Sequence, residues 1–174
     1  MQWNTALTIL PNRTAIAGLR ALFPWRAEDY ADNTTWHAMP PGTDSQGPAL
    51  PDSNIEDPAL WFDFRRGAFH AIMHTMDAGG TGGAYCGGHA FSTNGWQWTY
   101  SGTAYSCAQN YSDGSWQEFA RRERPHILFA PDGVTPIALS NGVQYAAPAN
   151  VTCKIGGSPC LCDPIFTLVA PLQT

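Results

Sequence analysis

Three stretches of the chain share one rhythm of apolar and polar positions. Each begins with a short run of aliphatic and aromatic residues, continues into a turn signal, and ends in a second short apolar run. The stretches are residues 4–19, 57–74 and 124–139. Their turn signals are Pro11-Asn12-Arg13, Arg65-Arg66-Gly67 and Pro131-Asp132-Gly133. Turn residues of this kind join antiparallel strands, so the pattern predicts three β-hairpins.

A fourth unit of two strands is predicted at residues 87–106, where Thr93-Asn94-Gly95 supplies the turn. The apolar run at 165–172 predicts one more strand. Residues 24–55 are rich in Pro, Asp and Gly without a clear period, which predicts surface connections with one short strand. The glycine-rich residues 77–88 are interpreted as a flexible loop.

The first three hairpins begin near residues 4, 57 and 124, a spacing of roughly 50 to 65 residues that fits four-stranded propeller blades. Residues 87–106 then form the outer half of the second blade. We expect an all-β fold, a β-propeller of four-stranded blades of which residues 1–174 supply about three in one domain. A lectin-like β-sandwich would also explain the strands but not this spacing.

Composition supports the all-β prediction and narrows the partners. The chain has 17 Gly, 14 Pro and 7 Trp, which suit short strands and tight turns. Only 13% of residues are charged and the formal net charge is −5, which argues against a nucleic-acid partner. Since no apolar run approaches about 20 residues, we expect no membrane insertion.

Asparagine triplets and cysteines indicate an extracellular protein. The acceptor pattern for N-linked glycans occurs at Asn12, Asn33, Asn110 and Asn150. Chance is the alternative explanation, because Ser and Thr are common here. The five cysteines allow up to two disulfides and leave one thiol over. Secretion with N-linked glycans is therefore the expectation.

Two carboxylates stand where predicted strands begin. Asp57 directly precedes Pro58, and Glu123 lies two residues before Pro125. The first strands of all blades line the central channel of a propeller, so these side chains are expected to meet at one mouth of the channel. The alternatives are a turn in which Asp57 caps backbone N–H groups, and a surface ion pair for Glu123.

The segments around these acids resemble one enzyme family. They are EDPALWFD with GAFHAIMH, GGHAFSTNGWQWTYSG, and RRERPHILFAPDGVTPIALSNGV. They are similar to the five-bladed β-propeller glycoside hydrolases of family 43 and their relatives in clan F and the fructan-acting families, notably a eukaryotic secreted branch. The resemblance covers most of residues 55–145 and, more loosely, residues 3–20.

The resemblance implies inverting hydrolysis of furanosides or pentose-containing glycans. It assigns Glu123 as the general acid, and Asp57 as the aspartate that orients this acid and favours its protonated form. Inversion also requires a second carboxylate that activates a water, about 6.5–9.5 Å from the acid. The family's base is an aspartate on the first blade, two blades before the equivalent of Asp57, and we expect this chain to begin in the blade after it. At the position that matches Asp57, the first hairpin here carries Asn4, followed by Thr5. No base is assigned.

Four further residues are candidates for binding the sugar. Arg124 could bind a substrate hydroxyl or act on Glu123, and His89 and His126 could contact substrate or simply be satisfied residues of inner strands. Trp36, in an irregular segment like Trp25, could stack on a sugar ring. The remaining tryptophans considered are predicted to pack between blades: Trp61, Trp96, Trp98 and Trp116.

The sequence predicts no dedicated metal site, because His70 and His74 share a strand face without a third ligand. The resemblance implies no required cofactor and admits a calcium ion in the central channel. Because the base is missing, a second hypothesis stands beside the hydrolase. It is a non-catalytic glycan-binding or structural module of an extracellular assembly.

Overall fold

The structure, a computed structural model, describes residues 6–18, 25–38, 55–75, 87–145, 153–155, 158–160 and 166–172. The strands are β1 Ala6–Ile9, β2 Ala15–Gly18, β3 Trp25–Ala27, β4 Trp36–Ala38, β5 Ile55–Asp63, β6 Ala68–Thr75, β7 Gly87–Ser92, β8 Thr99–Tyr105, β9 Ala108–Asn110, β10 Trp116–Phe129, β11 Pro136–Tyr145, β12 Cys153–Ile155, β13 Ser158–Cys160 and β14 Phe166–Pro171. A 3₁₀ helix, Asn33–Thr35, precedes β4.

These strands form three four-stranded antiparallel sheets and one isolated hairpin. The first sheet has the order β1-β2-β3-β4 and the second the order β5-β6-β7-β8. The third has the order β14-β11-β10-β9, and the β12–β13 hairpin is inserted between β11 and β14. The predicted all-β architecture of four-stranded sheets is confirmed, and the described residues form three such sheets, in line with the expected three blades.

The three sheets are packed against one another in chain order. Strand β5 contacts β1 on one side and β10 on the other, so the first long strands of the sheets lie together. Ile72 and Met73, neighbours on β6, point to opposite faces, and each belongs to a different core cluster. Ile16 joins Met73 between the first and second sheets, and Ile127 joins Ile72 between the second and third. The second sheet is therefore buried on both faces, as in the middle of a propeller.

The predicted turns form through local side-chain hydrogen bonds. Asn12 Oδ1 accepts from the Thr14 N–H at 3.2 Å, and Asp63 Oδ1 accepts from the Arg65 N–H at 2.9 Å. Asp132 Oδ1 accepts from the N–H groups of Val134 and Thr135. These bonds satisfy backbone donors inside each turn, which is why Asn and Asp mark the turns in the sequence.

The structure also differs from the prediction. Residues 24–55 contain two short strands rather than one, and β3 and β4 complete the first sheet. Strand β9 and the β12–β13 hairpin were not predicted. Most of the predicted loop at 77–88 lies outside the described residues. Among the residues that are described, none forms a helix long and apolar enough to cross a membrane.

The cysteines are only partly accounted for. Cys107 is disulfide-bonded. Cys153 and Cys160 are direct backbone partners across the β12–β13 hairpin. The pairing of the remaining cysteines stays open.

Candidate functional site

A matching irregularity interrupts the first long strand of the second and third sheets. The β5–β6 pairing runs from Glu56 opposite His74 to Ala59 opposite Ile72, so β5 contains one extra residue. The β10–β11 pairing runs from Glu123 opposite Gly142 to His126 opposite Ser140, again with one extra residue. Both irregularities are β-bulges of the same size, placed where the strands begin to pack against each other.

Each bulge holds a strained residue directly before a proline. Asp57, before Pro58, and Arg124, before Pro125, both have a φ of 52°. The left-handed region costs a non-glycine residue about 1–2 kcal/mol, and such strain is concentrated at functional sites. The two bulges are therefore candidates for a site.

The bulges correct the correspondence made from the sequence. There, Asp57 was matched with Glu123 as the acid at the strand entrance. By backbone conformation and register, Asp57 corresponds to Arg124, and Glu56 corresponds to Glu123. The two predicted carboxylates therefore occupy different positions of their bulges, in keeping with their different distances from the following proline.

The two bulges approach each other across the sheets. Arg124 Nε lies 3.9 Å from Asp57 Oδ2, and the side chain of Asp57 is only 8% exposed while that of Arg124 is 73% exposed. Arg121 Nη1 lies 3.3 Å from Glu123 Oε1. The sequence left open whether Arg124 acts on Glu123 or binds a substrate hydroxyl. In the structure Arg124 pairs with Asp57, and Arg121 is the arginine that contacts Glu123.

His74 lies within the electrostatic reach of three carboxylates from both sheets. Burial lowers the pKa of His74, against the opposing effect of Glu123, Asp57 and Glu56. Its Nδ1 atom is buried without a hydrogen-bond partner. Because the carboxylates of Asp57 and Glu123 both act on this one imidazole, the structure brings these two predicted residues into one region.

Tyr105 gives a second, independent indication of the same convergence. Burial raises the pKa of Tyr105 while Arg122 opposes the rise, and the negative charges of Asp57 and Glu123 add to it. The Tyr105 hydroxyl donates a hydrogen bond to the Arg122 carbonyl oxygen at 3.4 Å. The last residue of β8 therefore contacts the backbone next to Glu123.

A buried polar network supports the backbone that carries Glu123. Arg122 is 3% exposed, and its guanidinium lies 5.0 Å from the Tyr105 ring. Its Nε donates to Asn141 Oδ1 at 2.9 Å and its Nη1 donates to the Ser106 carbonyl at 3.1 Å. Asn141 Nδ2 in turn donates to the Glu123 carbonyl at 3.4 Å. A buried charge satisfied in this way fixes the strand next to the bulge.

Sequence analysis missed Arg122 and Asn141, and it considered His74 only as a metal ligand. Arg122 is one of three arginines in RRER, and nothing local distinguishes the buried one. Asn141 could have been noticed as an amide inside the otherwise strand-like run PIALSNGVQY, where a buried polar side chain needs a partner.

His89 belongs to a row of contacting side chains that is separate from the two acids. Its Nε2 is 2.9 Å from His70 Nδ1, its Nδ1 contacts Ser101 Oγ, and Trp61 stacks on His70 with ring centroids 5.2 Å apart. Burial, with a smaller effect of His70, lowers the pKa of His89 to about 4. The row crosses the face of the second sheet that meets the third, and no described contact links it to Asp57 or Glu123.

The other predicted binding residues are dispersed. His126 is exposed on β10, and its carbonyl accepts from Ser140 Oγ at 3.4 Å. Trp36 is half-buried on β4, and its Nε1 donates to the Tyr30 carbonyl at 3.3 Å. No contact of the described residues joins either one to the acids, and their role in sugar binding stays a prediction.

The predicted tryptophan positions are partly confirmed. Trp98 is buried between the first two sheets, and Trp61 packs against the cluster between the second and third. Trp116 does not pack between sheets, because it is 64% exposed at the start of β10. Asn12, Asn33 and Asn110 are exposed, and Asn150 lies outside the described residues.

The described residues provide neither a cluster of metal ligands nor the missing base. In the part of the chain that is described, no group of three or more His, Cys, Asp or Glu residues could hold a metal ion. A calcium ion in the central channel stays a prediction, and no step is assigned to one. Asn4, the residue of the first hairpin that was matched with Asp57, lies outside the described residues.

The structure is similar to solved structures of exo-β-1,3-galactanases, enzymes of the family that the sequence resembles. Two are variants of the enzyme from Phanerochaete chrysosporium with β-1,3-galactotriose. Both share 11% sequence identity over 83% of this chain and 44% of theirs, with TM-scores of 0.44 and 0.43. The enzyme from Clostridium thermocellum shares 13% identity over 91% of this chain and 47% of its own, with a TM-score of 0.40.

The chain thus spans less than half the length of these structures. No protein-family model and no curated protein sequence matches it. At this level of identity the similarity concerns the fold alone, and the chemistry of the site has to be argued from its own residues.

Proposed function

We propose that the chain is part of a glycoside hydrolase-like β-propeller that cleaves furanosides or pentose-containing glycans with inversion, using Glu123 as general acid. The observation that supports this most directly is the pair of strained bulges. Asp57 and Glu123 lie at these bulges on adjacent sheets, and the charges of both act on the His74 imidazole and the Tyr105 phenol. Paired carboxylates are what glycosidic cleavage requires.

The two acids have exposures that suit different roles. Glu123 is 28% exposed and can reach a leaving-group oxygen, whereas Asp57 is 8% exposed and paired with Arg124. In the proposed mechanism Glu123 donates its proton to the glycosidic oxygen as the bond breaks. Asp57 holds the neighbouring bulge in place through its contact with Arg124. We assign the activation of water to no described residue.

The decisive experiment compares two glutamate variants of the full-length protein on arabinosides, xylosides, fructans and β-1,3-galactan. Glu123→Gln should lower turnover by about 10²–10⁴-fold, the usual contribution of a general acid. Glu118→Gln, an exposed acid on the same strand, should retain activity. Equal turnover by Glu123→Gln and the wild type would exclude Glu123 as the acid. Detection of the first-formed anomer by NMR tests inversion.

The second proposal is a non-catalytic glycan-binding or structural module in an extracellular assembly. It is supported by the first hairpin, which carries Asn4 at the position that matches Asp57. In that case the full-length protein binds glycans without turning them over, and Glu123→Gln binds as well as the wild type. Both proposals place the protein in the secretory pathway, with N-linked glycans on exposed asparagines such as Asn12, Asn33 and Asn110.

A further inference from the structure

A short hairpin carries an unusual surface pair. Strands β9 and β10 form it, and within it Trp116 is the direct cross-strand partner of Asn110. Trp116 is 64% exposed, the most exposed of the large apolar side chains in the described residues. Asn110 is exposed as well, and so are Tyr111 and Ser112, the other two residues of its acceptor triplet.

This geometry offers an apolar platform beside a modifiable amide. Directly opposed residues of an antiparallel pair have Cβ atoms about 4.5–5.5 Å apart, so any group attached to the Asn110 side chain begins next to the indole. A tryptophan so exposed leaves a large apolar surface in water, which favours whatever covers it. The C–H face of a pyranose ring is a flat apolar surface of suitable size for an indole face.

The other described acceptor asparagines lack this arrangement. Asn12 has its Oδ1 engaged by the Thr14 N–H, and Thr14 itself is 6% exposed. Asn33 lies in the 3₁₀ helix, and the nearby Trp36 is half-buried with its Nε1 bonded to Tyr30. Within the described residues, Asn110 is the acceptor that faces a mostly exposed tryptophan.

We propose that Asn110 carries an N-linked glycan whose first N-acetylglucosamine packs on the indole of Trp116. In the modification, the Asn110 amide nitrogen attacks the anomeric carbon of a lipid-pyrophosphate-linked oligosaccharide. A C–N bond forms, the C–O bond to the pyrophosphate breaks, the lipid pyrophosphate leaves and the amide loses one proton. The packed sugar then covers Trp116 and clamps the hairpin.

This inference rests on the proposed passage through the secretory pathway but not on hydrolysis. Trp116 lies seven residues before Glu123 along β10, roughly 23 Å at the usual rise of a strand. A glycan on the hairpin can therefore be tested without touching the acids. Loss of hydrolysis in Glu123→Gln and loss of glycan packing in a Trp116 variant are separate outcomes.

The test expresses the full-length protein in a secreting eukaryotic host. Glycopeptide mass spectrometry measures occupancy at Asn110, and oxidative labelling measures access to Trp116. The glycan is then trimmed enzymatically to its first N-acetylglucosamine. The expected result is an occupied Asn110, with Trp116 oxidised more slowly in both the intact and the trimmed glycoprotein than in Asn110→Gln.

A double-mutant cycle separates glycan packing from the hairpin's own stability. Trp116→Ala should lower the Tm of the glycosylated protein by about 2–4 °C, and should have little effect in the Asn110→Gln background. Phe64→Ala, which truncates another exposed aromatic side chain, should have the same effect in both backgrounds. An unoccupied Asn110, equal oxidation of Trp116 with and without the glycan, or additive Tm shifts would each overturn the proposal.

Discussion

Asp57 and Arg124 occupy the same position in two adjacent sheets, each with a φ of 52° before a proline, and their side chains lie 3.9 Å apart. Neither residue is a glycine or an asparagine, the types that tolerate this conformation best. The ion pair is long and Arg124 is mostly exposed, so the attraction between the two side chains offsets little of the cost of the left-handed backbone conformation. The surrounding pairing of β5 with β6 and of β10 with β11 must hold both bulges in place.

Backbone strain at Arg124 can be measured with two substitutions. Arg124→Gly and Arg124→Ala both remove the contact with Asp57, but only glycine relieves the penalty of the left-handed conformation. Arg124→Gly should therefore be the more stable variant, by about 1 kcal/mol in urea unfolding. If the two variants unfold at the same urea concentration, the bulge is not strained at this residue.

Asn141 should be essential to the network around Arg122. Asn141→Leu removes the acceptor for Arg122 Nε and the donor to the Glu123 carbonyl, and leaves a buried cation short of a partner. We expect a loss of about 3 kcal/mol in the free energy of unfolding. Asn141→Asp keeps the acceptor and loses only the donor, so it should be milder. Equal losses in urea unfolding would mean that the guanidinium does not depend on Asn141.

The histidine row should make the fold sensitive to acid. Burial lowers the pKa of His89 from an ordinary value of 6.5 to about 4, so the folded protein keeps this imidazole neutral where the unfolded chain is already protonated. The unfolded state then binds more protons, and stability falls as the pH drops from 6.5 towards 4. The lowered pKa values of His70 and His74 act in the same direction.

His89→Gln tests this dependence. The variant should lose stability at neutral pH, because the bonds to His70 and Ser101 change, but its stability should decline less steeply below pH 6.5. Urea titrations at several pH values in this range measure the slope. An unchanged slope would show that His89 does not contribute to acid unfolding.

Gly95 should be the least replaceable of the turn glycines. It has a φ of 77°, and a Cβ there would collide with the buried Ile16 side chain between the first and second sheets. Gly95→Ala should cost about 2–4 kcal/mol, the sum of backbone strain and overpacking. Gly67→Ala is the matched control, because Gly67 has a φ of 63° but open space around it. It should cost about 1 kcal/mol, and similar losses in urea unfolding would argue against the collision.

The hairpins could be predicted because their signals are local. Asp132, for example, bonds the N–H groups of the next residues whatever the rest of the chain does, and Gly133 follows it with a φ of 71°. The spacing of such turns was enough to predict four-stranded sheets. Strands β3 and β4 were underestimated because they are three residues long and form only through pairing with β2 and with each other.

The candidate site was harder to predict because its determinants are not local. Asp57 and Glu123 were identified through their prolines, and both do act on His74. The surroundings of each acid depend on which residues of the neighbouring strand the bulge places opposite it. Asn141 reaches the Glu123 carbonyl because β11 pairs with β10 in the register that brings Gly142 opposite Glu123. Alternating patterns of apolar and polar residues do not show where an extra residue shifts the pairing.

That extra residue makes the length of the two strands as important as their composition. Beyond each bulge the alternation of side chains continues in the opposite phase, so Ala59 and Trp61 share a face with His70 and Ile72. Deleting one residue between Glu56 and Ala59 would leave these two residues opposite His74 and Ile72, and Trp61 opposite His70, but it would abolish the bulge and with it the left-handed position of Asp57. Such a deletion should therefore disturb the surroundings of the acids far more than the pairing of the sheet.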